Sequence, residues 1–77
     1  NGRERMVPAS SLKPGDRFLV LPGESIPTDA IILEGRSSIN EAAVTGESVP
    51  VAKGPGDRVF AGTVNLEGAL VLEATAS

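Results

Sequence analysis

The sequence predicts an all-β fold, a small barrel or sandwich of about seven short strands with a single helical turn. Nine glycines and six prolines punctuate the whole of its 77 residues, as expected of a chain that turns often. Between them the apolar residues come in short β-branched runs, which are typical of strands. A chain of this length makes one domain, and we assign residues 1–77 to it.

Strands are predicted over residues 3–8, 17–21 and 29–34 in the first half of the chain. The second is rich in Phe, Leu and Val but alternates poorly, so we expect it to be buried on both faces. The third contains the most hydrophobic run and is expected to lie centrally in its sheet. Proline and glycine place the intervening turns at 13–16, 22–23 and 35–37.

A short extended piece at 38–40 leads into a helical turn predicted over 41–44. Asn40 is a good N-cap, and Glu41 places an acid in the favoured first turn. We therefore expect Glu41 to be a first-turn acid rather than one member of a catalytic carboxylate pair. Gly46 lies where such a turn would end.

The second half is predicted to return to strands and to complete the sheet. Tight turns are expected at 53–57 and at the Glu67-Gly68 pair, which joins the last two strands. The predicted strands cover residues 49–52, 58–60, 63–66 and 69–74.

Composition limits the chemistry that this chain can perform. It contains neither cysteine nor histidine, which excludes a disulfide framework, a thiol nucleophile and the usual zinc ligand sets. The absence of histidine also removes the usual proton shuttle at neutral pH. Any acid–base chemistry therefore falls to Asp, Glu or Lys.

Charge and hydropathy exclude further classes of function. Ten acidic and seven scattered basic residues give a net charge of −3, and no aromatic platform is available, so nucleic-acid binding is not expected. No apolar run approaches the roughly 18–20 residues of a membrane span, and no signal peptide is visible. Because the chain begins at Asn1 rather than at methionine, we expect it to be an excised piece of a larger protein. We also expect this piece to be soluble and monomeric.

The tetrapeptide Thr45-Gly46-Glu47-Ser48 is the most informative feature of the sequence. Glycine lets a backbone approach a ligand closely, and the carboxylate beside it can accept a proton from an attacking water. Such a loop suits contact with a phosphorylated partner. Taken alone, the tetrapeptide is better interpreted as a polar turn. The motifs around it decide between that interpretation and a functional loop.

The other marked polar residues have structural interpretations. We expect Glu24 and Asp29 to accept hydrogen bonds from turn amides, and Asp16 and Asp57 to be turn residues. Lys53, in a Gly/Pro loop, is expected to be solvated. No metal site is predicted, because the acids are not accompanied by histidine or cysteine.

Three blocks surround the tetrapeptide in a fixed order, after KPGD at 13–16. They are LPGESIPTD at 21–29, NEAAVTGESVPV at 40–51 and GDRVFAGTVN at 56–65. Together they strongly resemble the actuator domain of P-type ATPases, the ion pumps that form an aspartyl-phosphate intermediate. The resemblance covers about residues 7–74 and implies a distorted jelly-roll, a double-stranded β-helix-like barrel.

The VFAGT block, followed by Asn65 and Gly68, is most similar to the heavy-metal-transporting subclass. Ser48, where copper pumps have proline, leans toward the zinc, cadmium, cobalt and lead pumps. Two positions depart from the family pattern. The family usually has DG where this chain has Asp29-Ala30, and often DE where it has Asn40-Glu41. Alanine at position 30 implies that the backbone there does not require a positive φ.

The resemblance implies a parent pump in which ATP hydrolysis drives cation export. The domain would work on the cytoplasmic side of a membrane, against the phosphorylation and nucleotide-binding domains, and would join the transmembrane helices through its termini. ATP and Mg²⁺ would belong to the parent enzyme, with no cofactor or metal in this domain. We expect the isolated chain to have no turnover.

The resemblance also assigns the site. Glu47 would orient the water that hydrolyses the aspartyl-phosphate and accept its proton. Gly46 would let the backbone approach the phosphoryl oxygens, while Thr45 and Ser48 would hold the loop's shape or hydrogen-bond near the phosphate.

Three alternatives remain open from the sequence. A potassium-transporting P-type ATPase also has a TGES loop, although the VFAGTVN block argues against it. A small β-barrel could be a carrier module, loosely similar to a biotinyl or lipoyl domain, with Lys53 as the modified residue. A free-standing acyl-phosphate phosphatase could use Glu47 as its base.

Overall fold

The computed structural model describes residues 11–75, so the strand predicted over 3–8 lies outside the described residues. Within them the prediction of an all-β fold with one helical turn is confirmed. The elements are β1 (Arg17–Val20), β2 (Ala30–Glu34), β3 (Ser37–Asn40), α1 (Ala42–Thr45), β4 (Val51–Lys53), β5 (Arg58–Val59), β6 (Val64–Asn65) and β7 (Leu70–Ala74). In this part of the chain, no helix is long and apolar enough to cross a membrane.

The strands form two antiparallel sheets, ordered β1-β7-β2-β5 and β4-β3-β6. Strand β2 has a neighbour on each side, so its predicted central position is confirmed. The prediction that the second half completes one sheet is wrong. Strands β6 and β7 follow each other in the chain, yet β6 pairs with β3 and β7 pairs with β1 and β2.

The core is aliphatic except for Phe18 and includes residues from both sheets. Its buried members are Phe18, Val20, Ile26, Ala30, Ile32, Ile39, Val59, Leu70, Leu72 and Ala74. The prediction that the first described strand is buried on both faces is wrong, because Leu19 is 47% exposed. Strand β1 lies at the edge of its sheet, and only the face carrying Phe18 and Val20 meets the core.

The predicted turns at 13–16 and 22–23 are confirmed, and each is closed by a backbone hydrogen bond. Two other glycines are required by close packing. A Cβ at Gly68 would lie 2.2 Å from the carbonyl oxygen of Arg36, and one at Gly35 would lie 2.3 Å from that of Ala69. These contacts bring the connection before β3 directly against the connection before β7. Ala30 has a negative φ, as the sequence implied.

A buried polar network joins the two sheets through Asn65, which is fully buried. Its Nδ2 donates to the carbonyl oxygens of Val20 at 3.1 Å and Gly68 at 2.7 Å. The Ser37 hydroxyl donates to Asn65 Oδ1 and accepts from the amides of Glu67 at 3.1 Å and Gly68 at 2.9 Å. Because buried polar groups are costly when unpaired, this network fixes how the sheets meet.

Candidate functional site

Residues 45–48, here called the TGES loop, lie in the connection between β3 and β4. The helical turn before it runs over Ala42–Thr45, one residue later than predicted. Asn40 is not the N-cap, which is Glu41, but its Oδ1 still accepts a hydrogen bond from the Ala42 amide at 2.9 Å. Asn40 therefore satisfies an amide at the start of the helix, although it lies one residue before the N-cap.

Gly46 ends the helical turn, as the sequence predicted. It is left-handed, with φ 81°, and its amide donates to the Ala42 carbonyl oxygen at 2.8 Å. A Cβ at this position would meet nothing within 4 Å. The glycine is thus demanded by backbone conformation, and the space beside it stays open for an approaching partner.

Thr45 shapes the loop from its first position. Its Oγ1 accepts a hydrogen bond from the Glu47 amide at 3.1 Å. The hydroxyl also lies 3.2 Å from the carbonyl oxygens of both Glu41 and Glu47, to either of which it can donate its single proton. This local ring of contacts holds the backbone that presents Glu47.

Glu47 and Ser48 are exposed at the tip of the loop. Within residues 11–75 the Glu47 carboxylate has no hydrogen-bond or ion-pair partner. Two valines flank the loop and are also exposed, Val44 at 57% and Val49 at 70%. The carboxylate is therefore free to meet a reactant that arrives from outside the described residues.

The exposure of Glu47 leads to a prediction about stability. Changing Glu47→Gln should alter the free energy of unfolding of the chain by no more than about 0.5 kcal/mol, since an exposed side chain with few contacts contributes little. Urea denaturation followed by circular dichroism measures this. A loss well beyond that range would assign the residue a structural role.

Glu41 and Lys53 differ most from the sequence predictions. Glu41 is not a first-turn acid, and Lys53 is not solvated. Their side chains are only 11% and 14% exposed, and Glu41 Oε2 lies 2.9 Å from Lys53 Nζ. Lys53 Nζ also donates to the Arg58 carbonyl oxygen at 2.7 Å and lies 5.3 Å from the centre of the Phe60 ring. Lys53 ends strand β4 rather than starting the following loop, which directs its side chain into these contacts.

Four other acids accept hydrogen bonds from backbone amides. This confirms the prediction for Glu24 and Asp29, and Asp16 and Asp57 lie in turns, as predicted. The pairs are Asp16 with Lys13, Glu24 with Leu21, Asp57 with Gly54 and Asp29 with Ala61. The first three pairs are local, whereas Asp29 reaches a turn amide 32 positions away. Throughout the described part of the chain, no three acidic side chains lie close enough together to hold a metal ion.

The family profile of the P-type ATPase actuator domain matches residues 1–77. The chain is 60% identical over 67 residues to the copper-exporting P-type ATPase B of Archaeoglobus fulgidus, covering 87% of this chain and 10% of that protein. It is 53% identical over 75 residues to a probable cobalt/nickel-exporting P-type ATPase of Mycobacterium bovis. That match covers 97% of this chain and 11% of the relative.

The fold is similar to that of a zinc-transporting PIB-type ATPase whose crystal structure was solved in the E2·Pi state. The TM-score is 0.85 at 38% identity, covering 100% of this chain and 13% of that one. The chain thus spans about a tenth of the length of the relatives that it matches. Sequence and fold agree on the family that the motifs indicated, and the chain belongs to the P-type ATPase actuator domain family.

Proposed function

We propose that this chain is the actuator domain of a heavy-metal-transporting P-type ATPase, and that its TGES loop promotes hydrolysis of the aspartyl-phosphate intermediate. The observation that carries the proposal is the exposed Glu47 carboxylate, which has no partner within residues 11–75. Beside it, the space next to Gly46 is unoccupied by other described residues. Membership of the actuator domain family supports this role for the loop.

The reaction needs positioning more than new covalent chemistry. An aspartyl-phosphate is a mixed anhydride, and its hydrolysis needs a water held in line with the leaving carboxylate. Glu47 orients that water and accepts its proton as the oxygen attacks phosphorus. Gly46 lets the backbone come close to the phosphoryl oxygens. In this proposal Thr45 keeps the loop in shape, and Ser48 donates a hydrogen bond near the phosphate.

The remaining parts of the reaction lie on other domains of the parent pump. The phosphorylated aspartate and Mg²⁺ belong to the phosphorylation domain, and ATP binds the nucleotide-binding domain. The actuator moves against them as a rigid β body on the cytoplasmic side, connected through its termini to transmembrane helices. The chain alone therefore has no turnover.

The class of ion is proposed only as a heavy-metal cation. The relatives are named for copper and for cobalt/nickel, and the similar structure for zinc. Ser48 leans toward the zinc-type pumps, yet the copper-exporting relative is the most identical of these three. Similarity in the actuator domain does not separate the metals, because the residues that select the ion lie elsewhere in the pump.

The carrier-module alternative loses support from the position of Lys53. A lysine that accepts a biotinyl or lipoyl group must present a free amine at an exposed turn. Lys53 Nζ instead contacts Glu41 and the Arg58 carbonyl oxygen, and its side chain is only 14% exposed. The burial of this amine favours the pump over a carrier.

The proposal is tested in the parent pump by following phosphoenzyme formed from radiolabelled ATP. The Glu47→Gln variant should accept phosphate and keep it. If the variant releases phosphate at the normal rate, Glu47 does not position the water.

A further inference from the structure

The segment that carries the TGES loop is closed at its base by the Glu41–Lys53 ion pair. Glu41 immediately precedes α1, and Lys53 is the last residue of β4, opposite Ser37 in β3. The Lys53 side chain therefore reaches back toward the start of the connection, and the pair encloses both that connection and β4. The charged atoms are 2.9 Å apart, and both side chains are largely withdrawn from water. An ion pair in such surroundings is screened far less than one at the surface.

Glu41 holds the first residue of the loop through its own backbone. Its carbonyl oxygen accepts hydrogen bonds from the amides of Val44 and Thr45, each at 2.9 Å. The same oxygen lies 3.2 Å from Thr45 Oγ1, which in turn binds the Glu47 amide. A chain of contacts therefore runs from the Glu41 side chain, through its carbonyl, to the residue that presents the catalytic carboxylate.

Lys53 connects this base to the other sheet. Strand β4 belongs to the second sheet, whereas Arg58, whose carbonyl oxygen accepts from Lys53 Nζ, lies in β5 of the first. The ammonium group also packs over the Phe60 ring, an arrangement that favours a cation. Glu41 Oε2 is buried, and within residues 11–75 the group that faces it is the Lys53 ammonium, at 2.9 Å.

We propose that Glu41 and Lys53 are positioning residues for dephosphorylation, fixing the TGES loop to the β body that delivers it. This inference rests on the function proposed above. The tip itself is exposed and has few contacts, so the accuracy with which Glu47 meets the water is set at the base of the segment. A misplacement of about 1 Å can cost up to 10²-fold in rate even when the altered residue is remote from the chemistry.

The test uses the full-length parent pump and the rate constant of phosphoenzyme decay after a chase with unlabelled ATP. The variants are Lys53→Met, Glu41→Gln and the double variant, with Lys13→Met as a matched control on an exposed lysine. The decay constant is the chosen readout because lost stability lowers the amount of phosphoenzyme formed but leaves the decay of each formed molecule unchanged.

Lys53→Met should slow decay by about 10- to 100-fold, since it leaves Glu41 as an uncompensated buried charge. The double variant should decay faster than Lys53→Met, because replacing both members of a buried pair removes the unpaired charge. Lys13→Met should decay at the wild-type rate. A normal decay constant for Lys53→Met, or a double variant slowed by the product of the two single effects, would overturn the inference.

If Lys53→Met yields no phosphoenzyme, Phe60→Leu tests the same positioning role. It removes the ring that Lys53 packs against and keeps the charges of both Glu41 and Lys53. Slower decay in Phe60→Leu supports the positioning role, and unchanged decay overturns it. Failure of the wider proposal is distinguishable, because in that case Glu47→Gln itself decays normally.

Discussion

The Glu47→Gln variant of the parent pump should accumulate phosphoenzyme, with its decay slowed by about 10²–10⁴-fold, the usual contribution of general acid–base catalysis. Glutamine keeps the size of the side chain and can still contact a water, but it cannot accept the proton. Formation of the phosphoenzyme from ATP should continue, because the groups that transfer phosphate lie on other domains. Chase of radiolabelled phosphoenzyme measures both steps.

Glu34→Gln is the matched control for this result. It makes the same chemical change on another exposed carboxylate, at the end of β2 and outside the TGES connection. Its phosphoenzyme should decay like that of the wild type. Equal slowing in both variants would point to a general effect of charge rather than to proton acceptance by Glu47.

Asn65→Ala should be the most destabilising of these substitutions, lowering the free energy of unfolding by roughly 2–4 kcal/mol. The change removes the donors to the Val20 and Gly68 carbonyl oxygens and the acceptor for the Ser37 hydroxyl. Each buried group left without a partner then bears its full desolvation cost. Urea denaturation of the chain, monitored by circular dichroism, gives the value.

Asn40→Ala provides the comparison for Asn65→Ala, because it deletes the same side chain from a half-buried position. It loses one hydrogen bond, to the Ala42 amide, and should cost only about 1 kcal/mol, the typical value for a helix cap. If the two variants unfold with equal free energies, the Asn65 network does not hold the sheets together.

Much of the candidate site could be predicted because it is encoded locally. The left-handed backbone at Gly46 is a requirement of one residue and its neighbours, and glycine is the residue that meets it. The exposure of Glu47 follows from a polar tetrapeptide between two short elements. The turn acids Asp16, Glu24 and Asp57 were predictable for the same reason, since each binds an amide three positions away.

The anchoring of the site could not be predicted in this way. Glu41 and Lys53 lie 12 positions apart in the sequence, and nothing local distinguishes them from solvated charges at a helix start and in a loop. Their contact depends on the pairing of β3 with β4 and on the approach of β5 from the other sheet. Leu19 was misplaced for a related reason, because its exposure depends on β1 being an edge strand.

The sequence by itself determined the family, the turns and the loop that presents Glu47, since glycine, proline and short polar side chains constrain φ, ψ and nearby amides directly. Tertiary structure alone decided that β6 and β7 belong to different sheets and that Asn65 is buried where the sheets meet. It also decided that the charge of Lys53 lies against that of Glu41. These outcomes depend on which distant backbone groups and charges meet away from water. Contacts between residues that are distant in the sequence are set by the packing of the whole chain and not by any short segment of it.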